Sequence, residues 1–167
     1  KIPITEEDLA ILDSMSSWNN TLISLGFKLS TGPVVDFRST KFLDFKEKFD
    51  GKQIAPLFWM HNVNGFSVKW LKSGSKATTI TISKESLSRL VKNNNYVFVK
   101  RFTAKEQPRR IYSAVYLKSH FKTDYIGIEN HINYIWKPNK SEMTNEEGWG
   151  LMALLNSSIV DKYFRII

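Results

Sequence analysis

Apolar side chains recur at helical spacing near the start of the chain. Five of them follow one another at steps of four and three residues: Ile11, Met15, Trp18, Leu22 and Leu25. This spacing is typical of one face of an α-helix. Thr5 precedes the acidic run Glu6 to Asp8, and it suits the N-cap because acids stabilise the positive end of a helix. Gly26 suits a left-handed C-terminal cap. The pattern predicts a first helix from about residue 6 to residue 25.

From residue 27 the pattern changes to short runs rich in β-branched and aromatic residues, which are typical of strands. Turn signals separate these runs, among them Asn64-Gly65 and Ser73-Gly74. The predicted extended segments cover residues 27–29, 34–37, 54–60, 66–71, 78–83, 96–102, 111–118 and 125–136. Residues 39–53 are predicted to form a loop, and Ser83 is predicted to cap a short helix that ends at Val91.

Helical spacing returns near the end of the chain, in residues 149–155 and 159–164, with Asn156 to Ser158 as the joint. The order of helix, many strands and helix pair predicts an α+β fold. Its sheet is expected to be mostly antiparallel, with an N-terminal helix and a C-terminal helix pair. The length of 167 residues predicts one domain over residues 1–167.

Composition excludes several classes of protein. Hydrophobic residues make up 42% of the chain and no cysteine is present, which excludes global disorder, disulfides and a thiolate nucleophile. No apolar run is long enough for a membrane span. We therefore expect a soluble, cytoplasmic domain with no membrane partner. The chain begins with Lys1 rather than Met, and we expect it to be a fragment of a longer polypeptide.

Positive charge is concentrated in one segment. The chain has 24 basic and 16 acidic residues, a net charge of +8, which favours an acidic partner such as nucleic acid. Residues 100–122 hold seven basic side chains and one acid, Glu106, and so carry +6 of that charge. The basic side chains are Lys100, Arg101, Lys105, Arg109, Arg110, Lys118 and Lys122.

All of these cations except Lys122 lie on the predicted hairpin of residues 96–118, and a two-stranded ribbon fits the major groove of DNA. Arginine can bind a base edge or a phosphate with two hydrogen bonds, and lysine neutralises phosphate. The alternative is that the charges only solvate the outer face of the hairpin. We predict DNA contacts from Lys100, Arg101, Lys105, Arg109, Arg110 and Lys118, with Arg109 or Arg110 as a base reader and Lys105 on a phosphate.

A second candidate is the polar centre of an apolar segment. Asn130 and His131 interrupt the isoleucine-rich run of residues 126–135. We predict that they contact DNA, while a structural role is the alternative: Glu129 and Asn130 can instead satisfy backbone groups of the neighbouring hairpin, as buried polar groups commonly do.

No catalytic residue and no metal ligand set is predicted. The three histidines, His61, His120 and His131, lack zinc-ligand spacing. The chain contains no P-loop and no Asn-Pro-Pro-Tyr or Asp-Pro-Pro-Tyr tetrapeptide. Asp36, Asp50 and Lys52 offer a weak alternative, a metal-dependent nuclease site, since an acid-x-Lys triplet arises often by chance.

The chain resembles a known family over nearly its whole length. Five segments carry the resemblance in order: LGFKLSTGPVVDFR (25–38), APLFWMHNVNGFSVKW (55–70), NYVFVKRFTAKEQPRRIYSAVY (95–116), IGIENHINYI (126–135) and GLMALLNSSIVDKYFR (150–165). They are similar to the C-terminal target-recognition region of adenine-specific DNA methyltransferases of Type II restriction-modification systems. The resemblance implies a parent enzyme whose catalytic domain binds S-adenosylmethionine and methylates a flipped adenine.

The resemblance implies that this chain binds double-stranded DNA beside the catalytic domain of the same polypeptide, and is not itself an enzyme. It implies no cofactor in the fragment. Two other functions stay open: the DNA-cleaving part of a fused restriction-modification enzyme, and a general binder of RNA or single strands, whose aromatic residues stack on bases.

Overall fold

The computed structural model describes residues 5–45, 50, 52–70, 74–138 and 142–167. Its α-helices are α1 (Glu6–Ser16), α2 (Asp36–Ser39), α3 (Asn145–Leu155) and α4 (Ser158–Ile166). Its strands are β1 (Lys28–Thr31), β2 (Leu43–Asp44), β3 (Ile54–Phe58), β4 (Thr79–Thr81), β5 (Leu90–Lys92), β6 (Tyr96–Lys100), β7 (Ser113–Tyr116), β8 (Tyr125–Ile128) and β9 (Ile132–Trp136).

The strands form two sheets. One has the order β1-β9-β6-β7 and is antiparallel throughout. The other has the order β2-β4-β3-β8-β5, in which only the β3–β8 pair is parallel. This confirms the predicted α+β class with a mostly antiparallel sheet, an N-terminal helix and a C-terminal helix pair.

Both faces of the first sheet are buried, because the residues of β6 and β7 alternate between two apolar environments. On one face, Phe98 and Tyr116 stack with ring centroids 5.3 Å apart. On the other face, Val97 and Val115 belong to a cluster that includes Met152 of α3. The C-terminal helix pair therefore lies against this face of the basic hairpin. The second helix of the pair, α4, contacts the loop that joins β6 to β7.

The predicted single segment 125–136 is wrong in one respect. It forms two strands, β8 and β9, which lie in different sheets. The turn between them, residues 129–131, pairs with the segment before α2 through a bridge from Val34 to Glu129. A Cβ atom on Gly32 would lie 2.3 Å from the carbonyl oxygen of Glu129. Glycine is therefore required where this segment crosses the turn.

The first helix is shorter than predicted. Its N-cap is confirmed, because the N–H of Asp8 donates to Thr5 Oγ1 at 3.1 Å. The helix ends at Ser16, where the Ser16 and Ser17 hydroxyls bond backbone carbonyls at 2.8 and 2.7 Å and compete with further helical bonds. Gly26 has a φ of +81°, as predicted, but it ends a separate turn.

The predicted helix from Ser83 to Val91 is also wrong. Ser86 Oγ donates to the carbonyl of Thr81 at 2.6 Å and accepts from the Ser83 N–H at 2.8 Å. These bonds close a turn, and the chain then forms one 3-10 turn followed by β5. In the predicted strand 66–71, the described residues form only isolated bridges at Ser67 and Val68, and residue 71 lies outside the described part. The predicted loop 39–53 contains a 3-10 turn and β2.

The predicted hairpin is confirmed, with β6 and β7 paired from Tyr96–Tyr116 to Val99–Ser113. Its strands are shorter than predicted, and residues 101–112 join them as a long connection, here called the hairpin loop. Among the described helices, none has the length and apolar character needed to cross a membrane.

Candidate nucleic-acid interface

The hairpin loop is fastened to α4 by one carboxylate. Asp161 accepts hydrogen bonds from the backbone N–H of Arg110 and from Nε of Arg165, the latter at 3.0 Å. Nη2 of Arg165 also donates to the carbonyls of Gln107 and Pro108, at 3.1 and 2.9 Å. The Asp161 side chain is only 14% exposed. The loop therefore has a fixed position against the helix.

The surroundings of Asp161 favour its charged form. Burial tends to raise the pKa of Asp161, but the bonds from Arg110 and Arg165 and the charges of Arg165 and Arg109 outweigh it, so the pKa is lowered. Asp161 therefore stays ionised and neutralises part of the positive charge that the sequence concentrates here.

Three of the residues predicted to contact DNA have partners within this chain. The Arg109 guanidinium donates to the carbonyl of Asn156, and its Nε is buried without a partner among the described residues. Lys118 pairs with Glu142. The Lys100 ammonium lies 4.9 Å from the ring centre of Tyr112. The predicted DNA roles of these residues stay predictions.

Two other cations of the loop line a common cavity. Lys105 and Arg110, together with Arg165, border a cavity of about 470 Å³ that we call the basic cavity. Lys105 is exposed and bonds no other described residue. Arg110 donates through Nη1 to the carbonyl of Thr103 at 3.3 Å. Sequence reasoning missed Arg165, although its spacing of four from Asp161 on a helix was a usable signal.

A second cavity lies at the turn between β8 and β9. It has a volume of about 350 Å³, and we call it the Glu129 cavity. Its lining residues are Val35, Asp36, Phe37, Trp59, Met60, His61, Lys76, Glu129, Asn130 and His131. The Glu129 side chain is 3% exposed, whereas that of His131 is 50% exposed. Oε1 of Glu129 lies 2.5 Å from Nδ1 of His131.

The pKa of Glu129 is raised, whereas that of Asp161 is lowered. Burial raises the pKa of Glu129, and attraction to His131 and Lys76 opposes this only in part. Sequence reasoning named Glu129 only as a structural alternative. The signal that could have found it is the polar triplet 129–131 between two isoleucine-rich strands.

Arg101 joins the hairpin to this turn. Its N–H donates to the carbonyl of His131 at 2.9 Å, and its Nη1 donates to the carbonyl of Asn130 at 3.3 Å. The rings of Phe102 and His131 lie 5.4 Å apart. The structure thus brings three predicted site residues together: Arg101, Asn130 and His131. Contacts between this turn and the hairpin were expected from the side chains of Glu129 and Asn130, but the backbone carbonyls of Asn130 and His131 make them. The side-chain amide of Asn130 bonds no other described residue.

The residues of the nuclease alternative serve other contacts. Asp36 pairs with Lys76 at 2.7 Å. Asp50 accepts from the N–H groups of Lys52, Gln53 and Ile54, at 3.0, 2.8 and 3.1 Å. Within the residues that the structure describes, no three His, Asp or Glu side chains form a group that could hold a metal.

Two curated proteins are similar to the chain over most of its length. The Type II methyltransferase M.BsuBI of Bacillus subtilis is 38% identical over 146 residues, which cover 87% of the chain and 28% of that protein. The chain matches part of a Type II methyltransferase. The Type II methyltransferase M.PstI of Providencia stuartii is 30% identical over 165 residues, 98% of the chain and 32% of that protein.

The chain thus spans less than a third of the length of these relatives. No protein-family profile matches the chain. No solved structure matches it either.

Proposed function

We propose that this chain is the DNA target-recognition part of a Type II adenine-specific DNA methyltransferase. The observation that carries the proposal is the pattern of similarity: two Type II methyltransferases match 87% and 98% of the chain, which spans only 28% and 32% of them. The chain contains no Asn-Pro-Pro-Tyr tetrapeptide. In this proposal a catalytic domain elsewhere in the same polypeptide binds S-adenosylmethionine and carries out the methylation.

Two surfaces of the chain suit two different kinds of DNA contact, one to phosphates and one to base edges. The basic cavity offers the exposed Lys105 and the half-buried Arg110 and Arg165, which suit phosphate oxygens because phosphate contacts come mainly from such side chains. The edge of the Glu129 cavity offers Arg101, Asn130 and His131, which can donate to and accept from base edges. The hairpin loop begins at Arg101 and also contains Lys105 and Arg110, so it connects the two surfaces.

The proposed role has an energetic purpose. An enzyme that modifies a base moves it out of the duplex and loses stacking and pairing energy, a few kcal/mol. Contacts between this domain and the surrounding phosphates and bases contribute favourably to the total free energy of the complex and so help to offset that loss. They also fix the position of the catalytic domain relative to the target adenine.

The test uses the full-length protein that contains this chain. A preferred duplex is first selected from a randomised library, and binding to it is compared for wild type, R101A and K84A. Arg101 contacts the turn, whereas Lys84 is an exposed lysine with no partner among the described residues. We expect R101A to lower affinity for the preferred duplex by about tenfold, with a smaller loss on scrambled DNA. K84A should lower the affinity for the preferred duplex and for scrambled DNA equally and only slightly.

Several outcomes would contradict the proposal. A wild-type protein that selects no duplex sequence is not a target-recognition protein. Tighter binding to single strands favours the general nucleic-acid binder, and cleavage of duplex DNA with added Mg²⁺ favours the nuclease. Methylation of cytosine rather than adenine in the selected sequence removes the adenine assignment.

A further inference from the structure

The backbone holds Glu129 rigidly between the two sheets. Its N–H donates to the carbonyl of Phe58 at the end of β3, and its own carbonyl accepts from the N–H of Ile132 at the start of β9, both at 3.0 Å. The segment at Gly32 packs directly against the same carbonyl. The side chain therefore leaves the turn at a position that both sheets define, and it lines the cavity without a flexible loop beneath it.

The buried carboxylate has spare hydrogen-bonding capacity. An ionised carboxylate can accept about four hydrogen bonds. Among the described residues, His131 is the one that bonds the Glu129 side chain, through Nδ1 and through its backbone N–H, so part of the capacity is left for a ligand. Burial of a carboxylate is unfavourable unless hydrogen bonds or charges compensate for it. A carboxylate at this depth with one half-exposed partner is therefore suited to accept a hydrogen bond from a ligand.

The neighbouring cation already has other partners. The Lys76 ammonium pairs with Asp36 at 2.7 Å and lies 4.5 Å from the ring centre of Trp59. It attracts Glu129 from a distance and makes no hydrogen bond with it. The ligand therefore has to supply an N–H or O–H donor. In the major groove of DNA, cytosine and adenine offer amino groups, whereas guanine O6 and thymine O4 are acceptors that a carboxylate repels.

We propose that Glu129 accepts a hydrogen bond from the exocyclic amino group of a cytosine or adenine in the recognised DNA sequence. This assignment rests on the proposed function and deepens it. Glutamate is a known acceptor for the cytosine amino group. The base edge enters the mouth of the Glu129 cavity beside Asn130, His131 and Phe37, of which Phe37 is 74% exposed.

The first experiment compares E129A with a matched control, E106A, in the full-length protein. Both substitutions remove an acidic side chain, but Glu106 is exposed in the hairpin loop and does not line the Glu129 cavity. Alanine is used because a glutamine at position 129 would keep an oxygen that accepts hydrogen bonds, and glutamine can itself bind adenine. Each protein selects duplexes from a randomised library. We expect E129A to lose the preference for cytosine or adenine at one position by about 5- to 150-fold, while the other positions keep theirs. E106A should retain every preference.

The second experiment needs no variant and therefore does not depend on the folding of E129A. In the duplex selected by the wild type, each cytosine is replaced in turn by 2-pyrimidinone and each adenine by purine, which lack the amino group. One replacement should weaken binding by about 5- to 150-fold. A pyrimidinone position identifies cytosine as the ligand, and a purine position identifies adenine. Where E129A folds, it should not respond to that replacement.

The outcomes separate this inference from the proposed function. If the wild type selects a sequence and E129A selects the same one with equal strength, the assignment of Glu129 is wrong and the recognition function stands. The same conclusion follows if the response to every replaced base is equal in wild type and E129A. If the wild type selects no sequence, the recognition function itself fails.

Discussion

The hairpin loop and the Glu129 cavity use charged side chains in opposite ways. Asp161 accepts hydrogen bonds from the Arg110 backbone N–H and from Arg165 and is attracted by Arg109, so this acid helps to hold the loop against α4. In the cavity, Glu129 is buried with a single half-exposed bonded partner among the described residues. The comparison teaches that a run of cations in the sequence can serve the fold, whereas a buried acid with few partners is the stronger candidate for ligand binding.

The two acids also have opposite effects on stability. The pKa of Asp161 is lowered by its partners, whereas burial raises that of Glu129. A lowered carboxyl pKa means that folding favours the ionised form, and a raised one means that folding disfavours it. Asp161 is therefore a structural acid. Glu129 reduces stability when it is ionised, which is what a group kept for binding is expected to do.

Removal of Asp161 is the strongest way to break the comparison. D161A deletes the acceptor of the Arg110 N–H and of Arg165, and it removes a negative charge that attracts Arg109. We expect a loss of about 1–3 kcal/mol in the free energy of unfolding, measured by urea denaturation. Glu106, an exposed acid in the same loop, provides the control, and E106A should stay within about 0.5 kcal/mol of wild type. Equal effects of the two substitutions would show that the loop is not held by Asp161.

The two acids contribute to the pH dependence of the free energy of unfolding with opposite signs. Because its folded pKa is lowered, Asp161 stabilises the fold above its unfolded pKa of about 3.9, and this is lost as the pH falls further. Because its folded pKa is raised, Glu129 lowers stability as the pH rises from its unfolded pKa of about 4.3 through the folded value. D161N should therefore flatten the acid limb of the stability curve.

E129Q should act in the other direction, since it gains stability relative to wild type as the pH rises above about 4.3. Urea denaturation of wild type and both variants at pH values from 3 to 8 measures these slopes. A difference between E129Q and wild type that does not change with pH would show that the carboxylate is not disfavoured by folding. Its proposed role in binding would then lose its energetic argument.

Much of the fold follows from local patterns in the sequence. The helix starts at Thr5 and Thr144 are each specified by residues within a few positions of one another, and the β-branched and aromatic runs of β6 and β7 each mark a strand by themselves. The errors arose where distant contacts decide. Residues 83–91 have a helix-like start, but β5 pairs with β8, which is more than 30 residues away, and the hydroxyls of Ser83 and Ser86 close a turn instead.

The site was less predictable than the fold for a related reason. The sequence shows that residues 100–122 are basic, but Asp161 and Asn156, which bind part of that charge, lie about 50 positions further along the chain. Likewise, the sequence marks Asn130 and His131 as unusual. The depth of Glu129 depends on β3, β8 and the Gly32 segment meeting at one turn, and no local pattern records that meeting.

The smallest predicted effect sharpens the comparison within the hairpin itself. Lys105 has no partner among the described residues, whereas Lys118 pairs with Glu142. If Lys105 contacts a phosphate, K105A should reduce the slope of log affinity against log salt concentration by about 0.9. K118A should change the slope by less than half as much, because the ion pair already neutralises Lys118. Binding of the full-length protein to its selected duplex at several salt concentrations measures both, and a larger change for K118A would place the phosphate contact at the other end of the hairpin.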